Sequence, residues 1–374
     1  MANHMVTPVL PQARPEVEGL KAYSAPLEGR RGLLRLDFNE NTLGPSPKVV
    51  AAIRAIPADQ YAIYPEYEGL REAVLANLAH VGLSQPLQPD QIGLFNGVDA
   101  AIHAIFHAYG DRGDTLLTTS PTFGYYTPCA QMQGMVIEEI PYRLPDFAFP
   151  LEELRAALLS NGALGSQPPR ILLICNPNNP TGTRLAPELI LELAAAAPRT
   201  LVVVDELYEA FTGDSLLPSA NFAATPNLLV LRSLAKTAGL AGLRIGFAIG
   251  AASVVDRIGR VTGPYDINSF AVTAAHAALA DQAYVDSYVA EVLRARTWLV
   301  QQLQAAGVRH HAAGGNYLLI WPERPAEEVE QRLRQAGILV RSMAAKPLID
   351  GSLRVSIGTT EQMQRFWAAY LQAA

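Results

Sequence analysis

Residues 228–247, LLVLRSLAKTAGLAGLRIGF, give the strongest indication of both fold and chemistry. The apolar run at 228–231 predicts a buried strand, which leads through small residues to Lys236 and Arg244. A lysine among small and apolar neighbours is poorly solvated, which lowers its pKa and makes its amine a better nucleophile toward an aldehyde. Ser233 and Arg244 add a hydroxyl and a guanidinium, a pair that suits a phosphate. The alternative is an ordinary lysine in a loop.

From about residue 70 to the end of this stretch, apolar runs of four or five residues alternate with helical patterns. The runs are at 115–119, 136–140, 171–175, 201–204, 228–231 and 245–249. The clearest helical patterns are at 70–80, 97–109 and 187–197. Continuous apolar strands separated by helices predict a mostly parallel sheet with helices on both faces, which is a three-layer αβα domain of the α/β class.

The pattern changes after residue 264. A helical stretch with breaks at 269–306 precedes a strand at 316–321, a helix at 326–337, strands at 338–342 and 353–357, and a last helix from about 360. This order predicts a smaller α+β domain. An extended segment rich in Pro and Arg opens the chain and ends in a strand at 33–38. We therefore predict an N-terminal arm at 1–43 that packs with the small domain, a large domain at 44–265 and a small domain at 266–374.

Composition restricts the class of protein. The chain has 374 residues, more than one compact core usually holds, with 49% apolar and 17% charged residues and a net charge of -6. This charge does not favour nucleic acid or an anionic membrane as a partner. No stretch approaches the roughly 20 apolar residues that span a bilayer, and the N-terminus lacks a signal-peptide pattern. We predict a cytoplasmic protein in which Cys129 and Cys175 are buried free thiols, with no metal site.

A second motif, VVVDELY at 202–208, places Asp205 at the carboxyl end of an apolar strand. Ligands bind outside such strand ends in parallel sheets. A carboxylate there suits a protonated pyridine nitrogen, the group that makes a pyridine ring an electron sink. Tyr208, three residues later, offers a hydroxyl to a phenolate oxygen. The alternative for Asp205 is a helix N-cap.

Two loops add weaker indications. In LLICNPNNPTGTRL at 172–185, a strand ends at a rigid turn that offers the Asn179 amide to a phenolate oxygen. In FNGVDAAIHAIF at 95–106, Gly97 precedes a predicted helix, so the backbone amides of Val98 and Asp99 face the site of an anion. Phe123 follows, and we expect it to lie against a planar ring, with a core aromatic as the equal alternative.

Taken in this order, the motifs resemble those of the fold-type I pyridoxal phosphate enzymes, the aspartate aminotransferase superfamily, over essentially the whole chain. The resemblance implies an aminotransferase in which Lys236 carries the cofactor as a Schiff base and moves a proton. It implies that Asp205 pairs with the ring nitrogen, that Asn179 and Tyr208 hold the phenolate oxygen, and that Phe123 stacks on the ring.

The same resemblance indicates which residues bind the cofactor phosphate and which bind the far end of the substrate. Ser233, Arg244 and the amides of Val98 and Asp99, after Gly97, are implied to hold the cofactor phosphate. Arg354 matches the arginine that receives the anionic end of the substrate. Tyr64 matches a tyrosine that reaches the phosphate of the partner subunit, which implies a homodimer.

Within the superfamily, the chain is most similar to the histidinol-phosphate aminotransferases. The similar segments are RPEVEGLKAY at 14–23, LDFNENTLGPSP at 36–47, YPEYEGLREAV at 64–74, ILVRSM at 338–343 and LRVSIGTTEQM at 353–363. They imply that Asn39, Arg341 and Arg354 bind the substrate, because two guanidiniums suit a phosphate or a carboxylate. A surface charge on a strand edge is the alternative for Arg341.

The chain also departs from this family. Ala235 stands where a serine usually precedes the lysine, Thr42 and Leu43 replace a common Pro-Tyr pair, and Phe123 replaces a tyrosine. These changes leave the cofactor groups in place but bear on the substrate. We expect transamination of histidinol phosphate with 2-oxoglutarate by a ping-pong mechanism. The alternatives are an aminotransferase for aromatic or other amino acids, a decarboxylase of the threonine-phosphate type, and a binding protein without catalysis.

Overall fold

The computed structural model describes residues 11–21, 28–160 and 167–374. Helices α1 to α12 are Pro15–Glu18, Pro47–Arg54, Leu70–Leu78, Val98–Tyr109, Tyr126–Met132, Leu151–Leu159, Pro187–Ala196, Ala252–Gly259, Ser269–Leu279, Gln282–Ala305, Ala326–Gln335 and Thr360–Ala373. Strands β1 to β13 are Leu34–Arg35, Ile92–Phe95, Thr115–Ser120, Val136–Pro141, Ile171–Cys175, Leu201–Asp205, Leu228–Ser233, Gly246–Gly250, Arg309–His311, Tyr317–Trp321, Ile338–Leu339, Arg341–Ser342 and Leu353–Ser356. Residues 1–10 and 22–27 of the predicted arm lie outside the described residues.

A seven-stranded sheet with the order β2-β8-β7-β6-β5-β3-β4 forms the centre of the larger part of the chain. Strands β4, β3, β5, β6 and β7 are parallel, and β8 runs antiparallel to both β7 and β2. The prediction of a mostly parallel sheet is therefore confirmed. The sequence did not predict β2, because it is a four-residue run interrupted by Gly93, where a side chain would collide with the Phe95 ring at 2.7 Å.

Side chains from the large sheet alternate between two apolar cores. In β6, Val202 and Val204 face one core and Leu201 and Val203 the other, as the two-residue period of a strand requires. Each fully buried Val or Leu side chain contributes about 1.5–3 kcal/mol. The alternation continues to the last residue of the strand, so Asp205 lies on the Val203 face, which helix α4 covers. The α/β class and the layers of helix on sheet are as predicted.

A third core lies among the C-terminal elements and contains Leu34 and Leu36 from the arm. Strands β12, β13, β10 and β9 form an antiparallel sheet, whereas β1 and β11 form a separate parallel pair. The predicted strand at 338–342 is wrong as one element, because the chain changes sheet at Val340. The predicted strand at 33–38 is shortened to Leu34–Arg35. The boundaries at 43 and 265 stay predictions.

The two cysteines, Cys129 and Cys175, are buried free thiols, as predicted. Burial in apolar surroundings raises the pKa of the Cys129 thiol to about 12, so it is protonated at neutral pH. Among the described helices, none combines the length and apolar character needed to cross a membrane.

Candidate active site

The carboxyl ends of β5, β6 and β7 open onto a cavity of about 130 Å³. Parallel strands present their carboxyl ends at the same edge, which brings residues distant in sequence to one place. Nine of the residues predicted to bind the cofactor line this cavity: Val98, Asp99, Phe123, Asn179, Asp205, Tyr208, Ser233, Lys236 and Arg244. The structure thus brings together the motifs that the sequence separates.

Lys236 lies where this cavity adjoins a second cavity of about 460 Å³, and it lines both. Its Nζ donates to the Phe38 carbonyl oxygen at 3.0 Å. Loss of solvent, and next the positive charge of Arg354, lower the pKa of Lys236 to about 8. A much larger fraction of its amine is therefore neutral near pH 8 than for an ordinary lysine, as nucleophilic attack requires.

Asp205 is 2% exposed at the end of β6. Its Oδ2 accepts from the Tyr126 hydroxyl at 2.6 Å, and its Oδ1 accepts from the Leu207 amide at 3.2 Å. Burial nevertheless raises the pKa of Asp205 to about 6. An adjacent cation would favour the ionised form, as a protonated pyridine nitrogen would. Tyr126 was missed by the sequence analysis, although it belongs to the SPTFGYY segment that contains Phe123.

Three polar side chains from distant segments meet at Tyr208. Its hydroxyl oxygen accepts from the Asn39 amide at 3.0 Å and from the Asn179 amide at 3.3 Å. Burial raises the pKa of Tyr208, so the phenol keeps its proton and is able to donate it. Asn39 has a left-handed backbone with φ of 54°, and its backbone N–H donates to the Ser356 hydroxyl at 2.8 Å. The arm therefore contacts Tyr208 directly through Asn39, and the last strand holds Asn39 through Ser356.

The predicted phosphate site lies at the start of helix α4. Gly97 precedes the helix with φ of 76°, and a side chain there would place its Cβ 2.6 Å from the Arg244 guanidinium. Arg244 itself has φ of 59° and pairs with the Asp99 carboxylate at 2.7 Å. The Ser233 hydroxyl donates to the Ile245 carbonyl at 3.3 Å. The Asp99 carboxylate beside Arg244 is a feature that the sequence analysis did not anticipate.

We expect Gly97→Ala to weaken phosphate binding at this helix start by at least about tenfold, because each 1.4 kcal/mol changes an equilibrium constant tenfold. The substitution forces a non-glycine residue into a backbone region that is essentially limited to glycine, and its Cβ displaces Arg244. The measurement is a spectroscopic titration of the cofactor-free protein with pyridoxal phosphate. Gly82→Ala is the control, because Gly82 has φ of 78° with no atom within 4 Å. Equal affinities for both variants would contradict the prediction.

The larger cavity is cationic. Lys21, Arg341, Lys346 and Arg354 line it together with Lys236, and no carboxylate is among its described lining residues. Arg341 and Arg354 are direct partners across β12 and β13, so their side chains leave the sheet on the same face. Two like charges directly opposite each other are unfavourable unless an anion lies between them. The two arginines predicted for the substrate are therefore brought together.

Arg354 joins the two cavities through hydrogen bonds. It is 9% exposed, and its guanidinium donates to Asn179 Oδ1 at 2.8 Å and to the Asp37 carbonyl at 2.6 Å. Arg341 is less buried, and its guanidinium lies 5.4 Å from the centre of the Phe38 ring. Because Asn179 also donates to Tyr208, Arg354 is linked to Tyr208 by two consecutive hydrogen bonds.

The two aromatic residues predicted for the site have different positions. Phe123 lines both cavities and packs edge-on against Tyr126 at a centroid distance of 5.4 Å. Tyr64 is 71% exposed, stacks on Tyr265 at 4.1 Å, and lines neither cavity of its own chain. A role for Tyr64 at the phosphate therefore needs a second copy of the chain.

These residues fit pyridoxal phosphate. A lysine amine, a buried carboxylate and a phenol with an amide surround one small cavity, and a glycine-started helix with Arg244 lies at its edge. The close approach of Arg244 to Gly97 leaves no space for a side chain at that edge. Each functional group of the cofactor has a chemical partner among the lining residues. These groups are the aldehyde, the ring nitrogen, the phenolate oxygen and the phosphate.

Comparison with known proteins identifies the family to which the chain is similar. A family model described as aminotransferase class I and II matches residues 31–369. The chain is 35% identical to the histidinol-phosphate aminotransferase of Roseiflexus castenholzii, with 93% of this chain and 94% of that protein covered. It is 30% identical to that of Moorella thermoacetica, with 96% and 92% covered. A crystal structure of the Sinorhizobium meliloti histidinol-phosphate aminotransferase with pyridoxal-5'-phosphate has a TM-score of 0.84 at 24% identity, and the match covers 98% of each chain.

Proposed function

The chain belongs to the class I and II aminotransferase family, and from this membership we propose that it transfers an amino group from histidinol phosphate to 2-oxoglutarate with pyridoxal phosphate as cofactor. The observation that carries the proposal is the position of Lys236 between two cavities. One has the groups that suit the cofactor, and the other has a cationic lining that suits a phosphorylated donor.

In the proposed enzyme, the chain holds the cofactor from three sides. Ser233, Arg244 and the first amides of helix α4, at Val98 and Asp99, bind the phosphate, where the helix dipole also favours an anion. The Phe123 ring lies at the boundary between the two cavities and would pack against the cofactor ring. Together these residues would hold the cofactor beside Lys236, which lines both cavities.

The remaining groups act on protons. When bound, pyridoxal phosphate accepts the electrons left on the substrate carbon after that carbon loses a proton. Asp205 keeps the ring nitrogen protonated, and Tyr208 and Asn179 hydrogen-bond the phenolate oxygen. The Lys236 amine would remove the proton from the substrate carbon and deliver it to the carbon of the former cofactor aldehyde, for which its lowered pKa is suited. The amino group is transferred in two half-reactions with ping-pong kinetics.

Histidinol phosphate is proposed as the amino donor because Arg341 and Arg354 suit its phosphate. Histidinol phosphate carries a doubly charged phosphate near neutral pH, and Arg341 and Arg354 offer paired donors to its oxygens. The acceptor 2-oxoglutarate has a carboxylate that uses the same pair in the second half-reaction. Lys21 and Lys346 add positive charge to the lining. A free aromatic amino acid has a single carboxylate and no phosphate at its far end, so it would engage fewer of these cations, although Phe123 would suit its ring.

We expect Arg341→Gln to raise the KM for histidinol phosphate by about 10- to 100-fold, because a hydrogen bond to a charged group contributes about 1.5–3 kcal/mol. The measurement is a donor panel of histidinol phosphate, phenylalanine, tyrosine and threonine phosphate. Arg309→Gln is the control, since Arg309 belongs to the same sheet but stacks on Trp321 at 4.3 Å.

The same panel separates the alternatives. Turnover of free aromatic amino acids without turnover of histidinol phosphate would overturn the proposed donor. Release of carbon dioxide from threonine phosphate, without a keto product, would indicate a decarboxylase. Binding without turnover of any donor would indicate a protein that is not catalytic.

We also propose that the enzyme is a cytoplasmic homodimer in which Tyr64 reaches the cofactor phosphate of the partner subunit. The exposed apolar side chains near Tyr64 support a contact with a second copy: Tyr61, Ile63, Val261 and Tyr265 are each more than a third exposed. Burying such a patch in a dimer removes apolar surface from water. Each active site is then built from two chains.

Hybrid dimers test this arrangement. Lys236→Ala and Tyr64→Ala chains, each weakly active alone, are expected to regain activity when unfolded together and refolded, because one of the two hybrid sites then has both native residues. Activity that stays at the average of the separate variants would contradict a shared site. Light scattering on the unaltered protein measures the subunit number independently.

A further inference from the structure

A cluster of buried charges lies behind the cofactor residues, on the opposite face of the sheet. Glu206 follows Asp205 and Arg232 precedes Ser233, so the two-residue period of a strand turns their side chains away from the cofactor cavity. Neither Glu206 nor Arg232 lines that cavity, and both line a separate one of about 480 Å³. The mechanism above uses none of these charges.

The contacts within this cluster are extensive. The Arg232 Nε lies 3.0 Å from Glu206 Oε2, and its Nη2 donates to the Ser215 hydroxyl at 2.7 Å. Glu206 also accepts from the Ser215 hydroxyl at 3.1 Å and from the Leu216 amide at 2.6 Å. Arg232 forms a second ion pair with Glu209. The side chains of Glu206 and Arg232 are 0% and 13% exposed.

The cluster lies where the strand ladder stops. The last residue pair between β6 and β7 is Asp205 with Leu231, followed by one hydrogen bond from the Glu206 amide to the Leu231 carbonyl at 3.0 Å. Beyond this point the backbone of the two segments is no longer paired as a ladder. The ion pairs of Arg232 then join the segment that carries Asp205 and Tyr208 to the segment that carries Ser233 and Lys236.

Buried ion pairs are a poor means of stabilising a fold, because desolvation of both charges offsets most of their attraction. An apolar pair of similar volume is often as stable or more stable. The position of this cluster therefore calls for another explanation. Each of its three charged residues is a direct chain neighbour of a proposed cofactor residue: Glu206 of Asp205, Glu209 of Tyr208, and Arg232 of Ser233.

We propose that Arg232 is a positioning residue. By holding Glu206 and Glu209, it keeps the segment with Asp205 and Tyr208, proposed for the cofactor ring, at a fixed distance from the segment with Ser233 and Lys236, proposed for its phosphate and aldehyde. This inference rests on the proposed cofactor site. A displacement of about 1 Å between reacting groups is enough to reduce rates by about 10²-fold. Arg232 acts only through its neighbours and touches neither cofactor nor substrate.

The test replaces all three charges with neutral side chains of similar shape, Glu206→Gln and Glu209→Gln with Arg232→Met, so that no carboxylate is left without its partner. We expect the melting temperature of the cofactor-free triple variant to stay within a few degrees of the unaltered protein. We expect its Kd for pyridoxal phosphate to rise at least tenfold and its kcat to fall at least tenfold. Arg143→Met, which removes the exposed ion pair with Glu153, is the control and should change neither.

Arg232→Lys keeps the positive charge, so it tests the proposal even if the triple variant does not fold. Because lysine offers a point charge without the planar fork of arginine, we expect partial rescue, with a Kd between those of the other two proteins. A Kd for pyridoxal phosphate equal to that of the unaltered protein in both folded variants would overturn the inference. Failure of the proposed function is seen separately, as unaltered protein that binds no pyridoxal phosphate or transaminates no donor.

Discussion

Lys236→Ala is expected to reduce the transamination rate by about 10⁴-fold or more, while the variant still folds and binds pyridoxal phosphate. In the proposed mechanism, the amine of Lys236 binds the aldehyde and later moves the substrate proton, and proton transfer by one positioned group contributes about 10²–10⁴-fold. Loss of the covalent role adds to this factor. The measurement is single-turnover kinetics with histidinol phosphate, alongside the absorbance spectrum of the bound cofactor.

The fold should tolerate this substitution. Desolvation lowers the pKa of Lys236, which shows that its surroundings disfavour a charged amine, so alanine removes an unfavourable charge rather than a stabilising one. The lost contacts are the hydrogen bond to the Phe38 carbonyl and the packing of the side chain. We therefore expect the melting temperature of the cofactor-free variant to equal or exceed that of the unaltered protein.

Lys346→Ala is the matched control, since Lys346 lines the larger cavity and is exposed. It should change the KM for histidinol phosphate and leave kcat nearly unaltered, because it contributes charge to binding and takes no part in proton transfer. Small added amines should partly restore the activity of Lys236→Ala by replacing the missing base. Normal transamination by Lys236→Ala would contradict the mechanism.

The sequence predicted those site residues that lie close to one another in the chain, within short motifs. Ser233, Lys236 and Arg244 lie within twelve residues, and Asp205 and Tyr208 within four, so their spacing is readable along the chain. The apolar runs also predicted the parallel strands that bring these motifs to one edge. Local patterns suffice where one element or one turn places each group.

Residues whose roles depend on contacts across the fold were not predicted. Tyr126 reaches Asp205 across 79 positions, and Arg232 reaches Glu209 across 23, and no spacing rule indicates either contact. The division of 338–342 between two sheets has the same cause. Residues 338 and 339 pair with the arm, which is more than 300 positions away in the chain, and Arg341 pairs with Arg354. The roles assigned to the lining residues stay predictions until the variants are measured.

Asp205→Asn is expected to reduce transamination by about 10²–10³-fold, the usual effect of removing one preorganised electrostatic group. Asparagine fills the same space and keeps an oxygen for the Tyr126 hydroxyl, but it cannot hold a proton on the ring nitrogen. Without that charge, the ring accepts electrons from the substrate carbon poorly. The effect should appear in kcat more than in KM, because the charge matters most in the transition state.

The same substitution should stabilise the cofactor-free protein at alkaline pH. The pKa of Asp205 is raised from 3.8 to about 6 by burial, so between these values the unfolded chain releases a proton that the folded protein keeps. The free energy of unfolding therefore falls as pH rises through this interval and stays lower above it. At about 1.4 kcal/mol per pKa unit, asparagine should recover up to about 3 kcal/mol at pH 8 and little at pH 4.

Denaturant unfolding of both cofactor-free proteins at pH 4, 5 and 8 measures this gain. Asp281→Asn is a control of opposite sign, because the hydrogen bond from Lys48 lowers the pKa of Asp281, so its substitution should lower stability at pH 8. A less stable Asp205→Asn at pH 8 would contradict the assignment of Asp205 as a carboxylate buried without a cation. A gain in stability together with a loss of activity would mean that the fold maintains an unfavourable charge at this position, which only a bound cation such as the protonated ring makes favourable.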